Sequence, residues 1–82
     1  LLFQASNSYY NQQKDLNKAL EWVTKSVEKD PKYYTVHLKA KILAALGKKQ
    51  EAISTAQVSM KLAEEAGNLD YVALNQRLID TL

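Results

Sequence analysis

Strong chain-breakers are scarce in this chain: Pro31, Gly47 and Gly67 are the only proline and glycines among 82 residues. An all-β domain of that length needs many more turn residues, so the breakers alone favour helices joined by short connections. The apolar spacing agrees. Leu16, Ala19, Leu20, Val23 and Val27 fall at offsets 0, 3, 4, 7 and 11, one helical face. Asp15 reads as the N-cap of that helix, and Asp30-Pro31 ends it, because the residue before proline is pushed out of helical geometry. The same pair is expected to open a second helix, with Asp30 as N-cap and Pro31 in the first turn, running to Leu46.

That second helix carries Val36, Ala40, Leu43 and Ala44 on one stripe and Leu38, Ile42, Ala45 and Leu46 on much of the rest, as expected of a helix sandwiched between neighbours. Gly47 stands where a left-handed C-cap is wanted. Ala52, Ile53, Ala56, Met60 and Ala63 trace a third face that ends at a second glycine cap, Gly67. Asn68 is suited to cap a last helix, with Asp70 near its positive end and Tyr71, Leu74, Leu78 and Leu82 as its stripe. Asn75, Gln76, Arg77 and Asp80 read as the polar side opposite that stripe. Upstream, Leu2, Phe3, Ala5, Tyr9 and Tyr10 predict a helix ending near Gln12. The fold class is therefore all-α, with about five helices.

Size and composition narrow the function classes. At about 100–200 residues per domain the chain is one domain, and a domain this small buries only about 60% of its unfolded surface. Without cysteine it has no disulfide and no thiolate metal site. Apolar residues make up 46% and charged residues 24%, which argues against disorder. A net charge of +2 is too small to imply nucleic acid, and no arginine cluster accompanies the lysines. No apolar run approaches the roughly 20 residues of a membrane span, so no membrane insertion is expected. The chain starts at Leu1 and its single methionine is Met60, which reads as a processed product or a piece of a longer protein.

An internal period is present. Tyr10 and Leu43, Ala19-Leu20 and Ala52-Ile53, and Ser26 and Ser59 each stand 33 residues apart. On these residues, with Val23, Asp30-Pro31, Ala40 and Gly47, the chain resembles the tetratricopeptide repeat, a helix-turn-helix unit of about 34 residues. The resemblance implies antiparallel helical pairs stacked as an α-α superhelix. It makes 1–82 a single domain, with one repeat over 1–33, a second over 34–66 and a capping helix over 67–82. Ala19, Ala40 and Ala52 would then let paired helices approach to roughly 8–10 Å. Asn7 stands where a small residue is usual, Ser26 and Ser59 where alanine is common, and Glu64 where a closing proline is expected. A looser similarity covers Asn17 to Val23, Lys41 to Gly47, and Ala66-Gly67-Asn68 with Tyr71-Val72. These stretches look like the helical tail of a bacterial family, mostly from Bacteroidetes, that carries an exported β-rich domain of unknown function ahead of it. That similarity implies an upstream domain and a cell-envelope setting.

Catalysis finds no support in the residues. His37 is the single histidine, so no pair or triad of ligands is available. No glycine-framed serine is present, Glu64 and Glu65 point about 100° apart, and no glycine-rich loop could hold phosphate. No cofactor, metal or catalytic residue is expected. Lys32, Lys39, Lys41, Lys48, Lys49 and Lys61 face only Glu51 over 32–61. They read as a solvated, helix-end-favouring set, or as a mildly basic strip for an acidic peptide. Trp22, on a second helix, reads as cover for a neighbouring helix or domain.

The tetratricopeptide resemblance places Gln4, Ser8, Asn11, Tyr34, His37 and Lys41 on the concave face, as a peptide-binding groove, and Tyr10 in the core. Tyrosine suits such a face, since it joins a large apolar area to a hydroxyl. Where chaperone-binding members hold a terminal carboxylate with lysine, asparagine and arginine, this chain has Gln4, Ser8 and Leu38, so that clamp is absent. The expected function is a non-catalytic interaction module for a protein or peptide. The alternative is a structural tail that packs on its own upstream domain or self-associates. Two units fall short of the usual three, so an attached domain or a homo-oligomer is expected to help.

Overall fold

A computed structural model describes the backbone of residues 2–82 and the side chains of residues 15–82. Among the described residues the chain is all-helical, with four helices and no strand: α1 (Leu2–Lys29), α2 (Tyr33–Ala45), α3 (Lys49–Ala66) and α4 (Leu69–Thr81). α2 lies at the centre, packed on α1, α3 and α4, while α3 also packs on α4. Its apolar circumference is the cause: Val36, His37, Ala40, Ile42 and Leu43 are all buried.

Two turns follow the sequence closely. At the end of α2, Gly47 takes φ 79°, its N–H donates to the Ala44 carbonyl at 3.1 Å, and the Lys48 N–H donates to Leu43 at 2.9 Å. At the end of α3, Gly67 takes φ 75°, with Gly67 N–H to Glu64 at 3.0 Å and Asn68 N–H to Ala63 at 2.8 Å. Both are Schellman caps, in which a left-handed residue lets two amides return to the last carbonyls. Asn68 then caps α4, accepting from the Tyr71 N–H at 3.2 Å.

Three expectations fail, each for a local reason. α1 is continuous from Leu2 to Lys29, so the break near Gln12 and the Asp15 N-cap are absent and one helix replaces two. The residue 33 positions before Gly47 is Lys14, a good helix former, so the first unit lacks the turn that Gly47 makes in the second. Ala19 is consequently only half-buried, whereas its counterpart Ala52 is fully buried. α2 begins at Tyr33 with Lys32 as N-cap, rather than at Pro31 with Asp30. The Thr35 hydroxyl supplies the cap contacts, accepting from the Lys32 N–H at 3.2 Å and donating to the Lys32 carbonyl at 2.9 Å. Asp30 instead makes an exposed 3.7 Å ion pair with Lys32. Third, Asn75 is fully buried at the centre of the inner face of α4, while Leu74 of the expected stripe is 42% exposed.

The inner face of α3 is made of small residues, Ala52, Ala56, Ser59 and Ala63, all fully buried, with Ile53 and Met60 half-buried beside them. Side chains this short let α2 and α4 close on α3, but they bury little apolar area. Among the described residues Val23, Asn75 and Ser59 are the largest fully buried side chains, so two of the three are polar. Val23 belongs to the α1–α2 contact.

Two substitutions test these points by urea unfolding. Ala52→Leu should overpack the buried face of α3 and cost about 1–3 kcal/mol. Gly47→Ala should cost about 1–2 kcal/mol through left-handed backbone geometry alone, since a Cβ there meets nothing within 4 Å.

Candidate functional site

The buried polar residues form one connected set across three helices. Asn75 sits at its centre. Its Nδ2 donates to Ser59 Oγ at 2.9 Å and to the Tyr71 carbonyl at 2.8 Å. Ser59 Oγ in turn donates to the Tyr33 carbonyl at 2.6 Å. Asn75 Oδ1 lies 2.7 Å from His37 Nδ1. Reversing the amide would aim its oxygen at the Tyr71 carbonyl, acceptor against acceptor, so the orientation follows from the partners. Oδ1 is then an acceptor, and His37 must carry its proton on Nδ1.

Aromatic packing surrounds this chain of hydrogen bonds. The Tyr33 and Tyr71 rings meet edge to face at 4.9 Å, and the His37 and Tyr71 rings at 5.4 Å. Asn68 Nδ2 donates to the Tyr33 hydroxyl at 3.1 Å, which ties the α3–α4 turn to α2. Such T-shaped pairs add about 0.5–1.5 kcal/mol each beyond area burial.

His37 is only 9% exposed, and among the described residues Nδ1 is the one ring nitrogen that makes a hydrogen bond. Among the described residues no buried side-chain nitrogen or oxygen lacks a partner. The unbonded Nε2 must therefore reach solvent. The opening it meets is a shallow groove of about 260 Å³ between α2 and α4, lined by His37, Lys41, Leu74, Arg77, Leu78 and Thr81.

The structure thus brings together His37 and Lys41 of the sequence-derived groove set and adds four residues of α4. Tyr34 does not line this groove; it is half exposed and packs edge to face on Tyr33 at 5.4 Å. The side chains of Gln4, Ser8 and Asn11, and of Tyr10, lie outside the described residues. Two lysines of the basic strip fall in different grooves. Lys39 lines one with Leu20, Thr24, Leu43 and Glu51, whereas Lys41 lines the α2–α4 groove with Arg77. Sequence reasoning missed Asn75 and Arg77 as site residues because it set both on a solvated side of α4. The one available signal was Ser59, a hydroxyl where the repeat pattern prefers a methyl.

Chemically, the His37–Asn75–Ser59 order places an amide between imidazole and hydroxyl. Ser59 is fully buried and gives its proton to a backbone carbonyl, so no base stands ready to activate it. No group of three or more His, Cys, Asp or Glu that could hold a metal is gathered among the described residues. No described helix is long and apolar enough to cross a membrane. Compared with protein-family models, curated proteins and solved structures, the chain matches none.

The network predicts a specific coupling. Asn75→Leu should destabilise the chain by about 1–3 kcal/mol by leaving the His37 Nδ1 proton without an acceptor. In a double-mutant cycle, Ser59→Ala and Asn75→Leu should be non-additive by at least about 0.5 kcal/mol in urea unfolding.

Proposed function

We propose that this chain is a non-catalytic, tetratricopeptide-like interaction module that presents the α2–α4 face to a peptide or a neighbouring domain. The observation that carries the reading is the groove itself: His37 and Lys41 meet Arg77 over an apolar floor of Leu74 and Leu78. At about 260 Å³ it is smaller than the roughly 300–1,000 Å³ usual for small-molecule sites, and suits one or two side chains. Helical repeats use such faces because neighbouring helices supply side chains in register along one surface. The commitment of the Ser59 and Asn75 donors to internal acceptors supports the non-catalytic part of the reading.

A second reading, a structural tail packed on an upstream domain or on another copy, is favoured by Trp22, Val58 and Leu69, exposed at 65%, 53% and 74%. The two readings separate experimentally. Peptides selected on the wild-type chain from a displayed random library should bind the Lys41→Glu, Arg77→Glu double variant at least about tenfold more weakly, a loss of about 1.4 kcal/mol. Both positions are exposed, so the thermal melt should stay unchanged. Selected peptides that bind the variant equally well would count against the groove. Concentration-dependent dimerisation together with such peptides would favour the structural tail.

A further inference from the structure

We propose that the α2–α4 groove receives an acidic side chain of a peptide, held by His37 Nε2–H, Lys41 and Arg77, and that the His37 ring takes up a proton on binding. This rests on the interaction reading above and gives that surface a ligand chemistry.

Three observations lead there. First, the groove is cationic and uncompensated. Lys41 and Arg77 line it with no carboxylate among its residues, and neither makes an ion pair among the described residues. Residues 1–14 contain no aspartate or glutamate, so none can come from that segment. Asp80, one turn on from Arg77, accepts from Gln76 Nε2 at 2.9 Å. Second, the interior fixes the tautomer. With Nδ1–H given to Asn75, the neutral ring offers Nε2 as a bare acceptor at the groove. An incoming cation or ammonium group would meet Lys41 and Arg77, whereas an anion would meet a lone pair unless the ring gains a second proton. A carboxylate beside Nε2 supplies the charge that makes the second proton favourable, and the buffer acid gives up the proton and becomes its conjugate base. Third, Leu74 and Leu78 form an apolar floor, and the Thr81 hydroxyl is already donated to the Leu78 carbonyl at 2.8 Å. A peptide that places a leucine next to a glutamate satisfies both halves of the groove, which inorganic phosphate cannot.

Among the described residues the ring touches Tyr71 and Asn75 of α4 and shares the groove with Lys41 on its own helix and Arg77 on α4, with Ser59 of α3 reached through Asn75. None is an acid. The incoming carboxylate therefore brings a negative charge that none of these residues supplies.

The test is calorimetry on the full chain with the blocked peptide acetyl-Leu-Glu-Leu-Glu-amide, in two mildly alkaline buffers of different ionisation enthalpy. The heat should depend on the buffer in the sense of net proton uptake. Nitrogen NMR of the single histidine should show both ring nitrogens protonated in the complex. Acetyl-Leu-Gln-Leu-Gln-amide and inorganic phosphate should each bind at least about tenfold more weakly, as charge-assisted hydrogen bonds and the apolar contact require. Lys41→Ala combined with Arg77→Ala should weaken the glutamate peptide by the same factor, and both residues are exposed, so folding is not at stake. Equal binding of the glutamine peptide or of phosphate, a heat that ignores the buffer, or an Nε2 that stays unprotonated would each overturn the assignment. Library-selected peptides that need Lys41 and Arg77 but carry no acid would sink this inference and leave the interaction reading standing.

Discussion

The amide of Asn75 holds this small fold in register. Both of its N–H donors and its carbonyl oxygen are engaged, by partners from α2, α3 and its own helix. The faces it joins are lined by alanines and a serine, which permit close approach but bury little apolar area. Under those conditions a fully satisfied polar centre does what large aliphatic side chains do elsewhere. It fixes one arrangement, because any slip between helices strands a buried donor or acceptor at about 1–3 kcal/mol each. The ring stack of Tyr33, Tyr71 and His37 closes over the same centre and adds apolar area where the alanines leave least.

Internal structure and surface chemistry are linked through one residue. His37 belongs to the interior by Nδ1 and to the groove by Nε2, so the orientation of a buried amide decides what the surface offers a ligand. Lys41 and Arg77, from different helices, flank that ring only because α2 and α4 are held against each other. The groove is thus a product of tertiary packing. On α2 alone the sequence would present a histidine and a lysine one turn apart, with no apolar floor beneath them.

Much of the fold was legible in the sequence where local chemistry decides it. Gly47 and Gly67 stop α2 and α3 because a left-handed residue is needed there, and Asn68 caps α4 as its type suggests. The all-helical class follows from the apolar period. What misled was the repeat itself. Thirty-three residues before Gly47 stands Lys14, so the turn expected near Gln12 has no residue to make it, and α1 runs straight through. Asn75 misled in a different way, since an asparagine among Gln76, Arg77 and Asp80 looks solvated until its partners are known. Those partners lie 16 and 38 residues away along the chain, beyond the reach of any local pattern. Only the α2 side of the site was legible for the same reason: His37 and Lys41 share one helix face, whereas Arg77 and the leucines arrive from α4.

Everything here turns on which nitrogen of the lone imidazole carries hydrogen in the uncharged, ligand-free molecule. Long-range nitrogen–proton correlation spectra at alkaline pH read that directly, and a single histidine makes the assignment unambiguous. The expected result is a proton on Nδ1, shielded from rapid exchange, and a pyridine-like Nε2. A ring protonated on Nε2 instead would contradict it, because Asn75 would then have to turn its amide and strand Ser59 and the Tyr71 carbonyl.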